Sequence, residues 1–225
     1  MPDLAPPRKR GRWGLYLPFL LLVVFAIGWT VFWFYARSQA SERLDLAAEQ
    51  LRGAGYEIGW KERTLGGYPF RLNVTLTDAR IREPSGWALE SPKLEAQAMM
   101  HALGTWMFAT PDGLTFTRPV GGPVTVTGEV MRASLSHVNN TPPNLSFEGS
   151  KLAFQPQAGA EPFGLTAADK VQFHLRAGPD DQAALMFKVD NGRARLEGLF
   201  ARIAGERPIS IVWDSILTRV SGFQG

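Results

Sequence analysis

The chain has 225 residues, of which 45% are hydrophobic and 20% charged, and it contains no cysteine. That length suits one domain of about 150–200 residues plus an appendage, and the balance excludes a disordered chain. The missing cysteines exclude a disulfide framework, a thiolate metal site and a cysteine nucleophile. The net charge of +3 sits in Arg8, Lys9, Arg10 and Arg12, so the remaining body is neutral and carries no nucleic-acid footprint.

The first element follows that basic tail. From Trp13 to Tyr35 there is no charged residue, and a helix of that length at 1.5 Å per residue reaches about 35 Å, enough to cross a bilayer. Trp13 and Tyr16 stand at one end and Trp29, Trp33 and Tyr35 at the other, where aromatic belts belong. Pro18 falls in the first turns, where its missing donor costs least. Four basic residues before the span outweigh Arg37 after it, which predicts a cytoplasmic tail over 1–12, a transmembrane helix over 13–35 and a body on the far side. The rival reading is a signal peptide cleaved after Ser38-Gln39-Ala40, but the apolar core of such a peptide usually runs only about 7–15 residues.

Residues 36–55 predict a juxtamembrane helix. Leu44, Ala47, Ala48 and Leu51 recur at helical spacing, Ser41 is a candidate N-cap, and Gly53 and Gly55 supply the stop. The stripe is expected to pack on the body; a partner-binding helix is the functional alternative.

After Gly55 the period changes from 3.6 to 2, which makes 56–225 a β domain. In "GGYPFRLNVTLTDARI" the apolar positions are Phe70, Leu72, Val74 and Leu76, then Ala79 and Ile81 on the opposite parity. The same slip occurs between Leu89 and Leu94, between Val130 and Met131, and across Gly149-Ser150. Such slips are expected of β-bulges, which bend and twist strands. They predict a curved antiparallel sheet of about ten bulged strands, in a meander punctuated by Pro84-Ser85-Gly86, Pro111-Asp112-Gly113, Gly121-Gly122-Pro123, Asn139 to Pro143, Gly178-Pro179-Asp180 and Asp190-Asn191-Gly192. Strands that cross between the two faces of a sandwich are the alternative. One helix cannot cover so many strands. The sheet is therefore expected to close on itself as an open barrel or jellyroll, or to leave a β-groove. Its apolar face would carry Leu72, Val74, Leu76, Val124, Val126, Phe147, Phe154 and Phe173. On a membrane-tethered protein, a groove so lined points to acyl chains.

Motifs for chemistry are few. His101, His137 and His174 lack metal-ligand spacing, and no nucleophile elbow is present. Neither a metal nor a cofactor is expected. Gly67, Tyr68, Pro69, Phe70 and Arg71 have two readings: a turn whose Tyr68 and Phe70 seed the core, or a rim contact in which Tyr68 and Arg71 meet a lipid headgroup. Arg80, Arg82 and Arg132 lie on polar parity and are expected in solvent, as is His174.

An apolar anchor, a helix ending in glycine, a short strand ending at Trp60 and then "GGYPFR" opening a long strand together resemble the bacterial envelope family called domain of unknown function 2125. The stretch "AGPDDQAALMFKVDNG" is similar to that family's second recognisable segment. The resemblance implies a bacterial inner-membrane protein with a periplasmic β domain, and members that run longer. More loosely, an anchor followed by a β meander is similar to the AsmA-like proteins and to the membrane-anchored jellyroll of the lipopolysaccharide export bridge, which handle lipid through a β groove. The expected role is non-catalytic: lipid binding or an envelope scaffold, with the bilayer, acyl chains or an envelope protein as partners. The alternative is an interaction module that receives a partner by β-augmentation at the open edge "ISIVWDSILTRV".

Overall fold

A computed structural model describes residues 13–138, 140, 142–178, 182–194 and 209–218, with the backbone alone at 13–15 and 209–218. One helix, α1 (Trp13–Gly53), opens it and runs for 41 residues. The stretches expected to be transmembrane and juxtamembrane are therefore one continuous helix. Ser41 lies inside it and not at an N-cap, because no residue from Ala36 to Arg52 breaks a helix. The stop falls at Gly53, with Gly55 in the left-handed region at φ 90°. Only 6% of the most apolar window of α1 is buried, so this is no core helix.

Among the remaining described residues the strands form one antiparallel sheet of twelve. Along the chain they are β1 (Glu57–Gly59), β2 (Glu62–Gly66), β3 (Arg71–Arg82), β4 (Ala88–Met99), β5 (Ala102–Ala109), β6 (Leu114–Arg118), β7 (Gly122–Thr127), β8 (Val130–Ser136), β9 (Asn144–Pro156), β10 (Leu165–Ala177), β11 (Gln182–Ala194) and β12 (Ile209–Thr218). Three pairs lie end to end. β1 and β2 share β3, β5 and β6 share β4, and β7 and β8 share β9, which reduces the twelve strands to nine long ones in sequential order. Pro111-Asp112-Gly113 thus interrupts one long strand and does not turn a hairpin. Among the described residues β12 pairs with β11 alone and β1 and β2 with β3 alone, so the sheet stays open.

The parity slips form one line. In β3 the slip falls at Asp78, where φ is 48°, and β4 slips opposite it at Pro92; the register is the same on both sides, with Thr77 facing Lys93 and Ala79 facing Ser91. The break between β1 and β2 faces Asp78 from the other side. Farther along, the break between β7 and β8 faces Lys151 of β9 (φ 48°), and Asp169 of β10 and Asn191 of β11 (φ 50°) continue the line. An isolated bulge sets two residues against one. Here each strand slips where its neighbour slips, so the sheet is creased from edge to edge while most pairings keep step. All the described strands belong to one sheet, as a curved sheet requires. Asp190-Asn191-Gly192 is part of this crease, inside β11, and not a turn. Its left-handed residue serves a bend within a strand as readily as a hairpin.

Register partners share a face, and one face of the sheet is mostly apolar, with Arg63 opposite Leu76 and Ser215 opposite Leu185 as exceptions. Leu65, Val74, Ala96, Phe108, Ala133, Phe147, Phe173, Phe187 and Trp213 form one cross-strand row. Leu72, Ala98, Trp106, Leu135, Leu145, Leu175 and Leu185 form the next. A buried cluster joins Val126 and Leu152 on one side of the crease to Met131, Val171 and Val189 on the other. The crease therefore folds this face inward, and it is called the inner face below.

Candidate functional site

Three places carry residues beyond those the core requires. The first is the junction of helix and sheet. Its turn, Gly66 to Phe70, is held against α1 by side chains of the helix. The Trp29 indole N–H donates to the Pro69 carbonyl at 2.8 Å, and the Trp33 indole N–H donates to the Arg71 carbonyl at 2.8 Å. The Thr30 and Tyr68 hydroxyls lie 2.8 Å apart, and the Tyr68 and Trp33 rings meet edge to face at 5.4 Å. Below them Trp33 and Ala36 bury themselves on Leu72 and Met100, with Leu103 and Trp106 alongside. Nearer the end of α1, Arg63 of β2 grips Asp45 with two hydrogen bonds, at 2.6 and 3.1 Å, and lies over the Trp60 ring. That guanidinium holds the Asp45 carboxyl below its ordinary value, chiefly by hydrogen bonding.

Gly67 has φ 100° and Tyr68-Pro69 is a cis peptide. Tyr68 and Phe70 do not seed the core: they are 53% and 69% exposed. The turn is clamped by the helix on one side, so its rings project past the end of the sheet. Arg71 is exposed beside them, and Arg80, Arg82 and Arg132 are exposed as expected. The side chain of Trp13, the basic tail and Asp180-Asp181 lie outside the described residues.

The second place is the inner face. Leu72, Val74, Leu76, Val124 and Val126 are buried on it, and Phe147, Phe154 and Phe173 are half-buried on it. α1 covers this face at Leu72, Leu103 and Trp106. Phe163, from the connection between β9 and β10, covers it beyond the crease, 5.2 Å from Phe116 and 5.4 Å from Phe154. Among the described residues no helix lies over β8 to β12.

The third place is polar. A cleft of 550 Å³ opens on the crease at Trp60, Lys61, Asp78, Arg80, Glu90 and Pro92. On the outer face Glu148 takes Arg132 at 2.6 Å and Lys170 at 3.0 Å, and these cations, Arg132 foremost, pull its carboxyl below the ordinary value. One row along, His174 Nδ1 lies 2.9 Å from Ser146 Oγ. His174 is thus partly buried and paired, where solvent was expected. The pair lies in a cross-strand row with Ser134 and Met186 on the outer face, and not in the cleft. Among the described residues no three His, Asp or Glu side chains group as they would around a metal ion. Sequence reasoning missed the junction's real content, the bonds from Trp29, Thr30 and Trp33. Tryptophans near a membrane boundary read as belt residues whatever else they do.

Residues 33–225 match the family model described as an uncharacterized protein conserved in bacteria, DUF2125. The chain belongs to that family. The match begins at Trp33, so it takes in Trp33, Ala36 and Asp45 of α1 together with the sheet, while Trp29 and Thr30 precede it. No curated protein and no solved structure matches the chain, and the looser likeness to AsmA-like and lipopolysaccharide-export proteins gains nothing there.

Proposed function

We propose that this DUF2125 protein is a non-catalytic, single-pass protein of the bacterial inner membrane whose periplasmic sheet binds lipid acyl chains along its inner face. The observation that carries the reading is the pair of apolar rows shared by β3 to β11, which α1 covers only along the β1 to β3 side and beside β5. A sheet that needed only a core of its own would cover that face with further helices or close on itself. Acyl chains fit such a surface because they are long, apolar and free of polar groups that need partners. The basic tail, Arg8 to Arg12, supports a cytoplasmic N-terminus. The grip of Trp29 and Trp33 on the sheet supports an anchor that is kept.

The test is photocrosslinking of the full chain in bacterial membranes, with a photoreactive amino acid at Phe173 on the inner face and, as control, at Arg132 on the outer. Lipid adducts identified by mass spectrometry at 173 and absent at 132 are expected. A clean, folded protein without adduct at 173 rejects lipid binding. A second reading rests on β12, which among the described residues pairs on one side: a partner strand added there would appear as a protein adduct from β12 instead.

A further inference from the structure

We infer that the end of the sheet nearest α1 is itself immersed in the interfacial layer of the bilayer, so that the inner face opens directly onto the leaflet on that side. This rests on the reading of α1 as a membrane anchor and not on lipid occupying the inner face.

The turns from β2 to β3, β4 to β5 and β8 to β9 all fall at this end, because Arg71 pairs with Met99, and Ser136 with Asn144. Phe70 accepts a hydrogen bond from Met100 N–H at 3.0 Å, which ties the first two turns together. Their height on the helix is fixed by Trp29 and Thr30, which bond Pro69 and Tyr68. Above that level α1 still exposes Val31, Phe32, Phe34 and Tyr35 on its free sides. The first charged side chain of α1 is Arg37, eight residues beyond Trp29 or about 12 Å up a helix. Residues level with Trp29 therefore lie below the charged boundary that the helix marks.

The sheet carries the same ruler independently. Residues 96–110 and 133–147 contain no Asp, Glu, Lys or Arg. From the tip of β4 at Met99 the first charge is Glu95, and from the start of β9 at Asn144 it is Glu148, each four residues away, or about 13 Å of strand. Helix and sheet thus reach their first charges at the same height. Within this uncharged band Tyr68, Phe70, Met99 and Val138 are exposed. Arg71 and Arg176, the latter level with Asn144 by register, are exceptions, each with a side chain long enough to reach headgroup phosphate from there. The opposite end differs: its turns hold Glu83, Arg118 and Glu161, although Val120 there is the more exposed apolar residue, at 78%. What marks the part of this end beside α1 is the uncharged run on β4, β5, β8 and β9 together with the helix contact; farther from α1, β10 brings Arg176 to the same end and Asp180 and Asp181 follow it in the sequence.

The absence of cysteine makes the test direct. Single cysteines at Phe70, Val138 and Val120, all exposed and tolerant of substitution, take a nitroxide label in the full chain, reconstituted into phosphatidylethanolamine–phosphatidylglycerol vesicles. Collision with oxygen is compared with collision with a water-soluble nickel chelate. Labels at 70 and 138 are expected to favour oxygen, as a label at Phe34 does, and the label at 120 to favour the chelate. A chelate-favoured signal at either 70 or 138 overturns the inference.

Discussion

A methyl group on Gly67 would meet the Arg71 carbonyl oxygen at 2.7 Å, in a backbone already at φ 100°. That carbonyl also accepts the Trp33 indole N–H, so it cannot retreat without loosening the helix. Gly67→Ala is therefore expected to cost about 1–3 kcal/mol, measured by denaturant unfolding in detergent. Trp33→Phe, which keeps the ring and loses the bond, should cost about 0.5–1.5 kcal/mol. Acid acts through other residues. Asp45 and Glu148 are both held below their ordinary values, by Arg63 in one case and by Arg132 and Lys170 in the other. A carboxyl whose folded value is depressed contributes stability that is full above its unfolded value and is lost as pH falls through the folded one. The unfolding midpoint should thus hold down to the ordinary carboxylate range and fall below it. Glu148→Gln should flatten that fall while leaving the neutral-pH midpoint closer to that of wild type than Gly67→Ala does.

The crease makes its demand element by element. Asp78 holds φ 48° in the middle of β3, where a β-branched side chain is strained and glycine is not. Asp78→Val is expected to lose about 1–2 kcal/mol, whereas Asp78→Gly should stay within about 1 kcal/mol of wild type, its added chain entropy offsetting the relief. Equilibrium unfolding of the two variants side by side separates them; equal losses would mean that side-chain contacts, not backbone, set the bend. Part of this crease was legible in the sequence. Apolar parity reverses at Asp78, at Pro92 and near Gly149-Ser150, and a reversal of period 2 has no other local cause than an irregular residue. What one strand cannot reveal is whether its neighbour slips at the facing position, since register depends on residues far along the chain. Asn191 was misread for a related reason: a left-handed Asn-Gly looks the same in a hairpin and in a crease. The end of the juxtamembrane stretch was readable from Gly53, but the missing break at Ser41 was not. A serine caps a helix only where the preceding residues are not already helical.

At the scale of the molecule, the broad division into an apolar helix and a β meander follows from the change of period at Gly55, and the packing of one on the other does not. The long-range partners of Trp29 and Trp33 are backbone carbonyls, which any sequence offers. That packing favours one of the two fates open to an apolar N-terminal helix. Cleavage after Ala40 would remove Trp29, Trp33 and Ala36 and uncover Leu72, Met100, Leu103 and Trp106, which they bury. It would also delete both indole bonds to the turn before β3. Burying such aromatic side chains stabilises by about 1.5–3 kcal/mol each, a large share of what a domain of this size has to lose. A signal peptide is built to leave without such loss. The protein extracted from bacterial membranes is therefore expected to carry α1 intact, with Trp29 and Trp33 present in its N-terminal peptides by mass spectrometry. A mature chain starting at Ser41 would mean that the sheet stands without its helix, and the anchor would then have to be sought elsewhere.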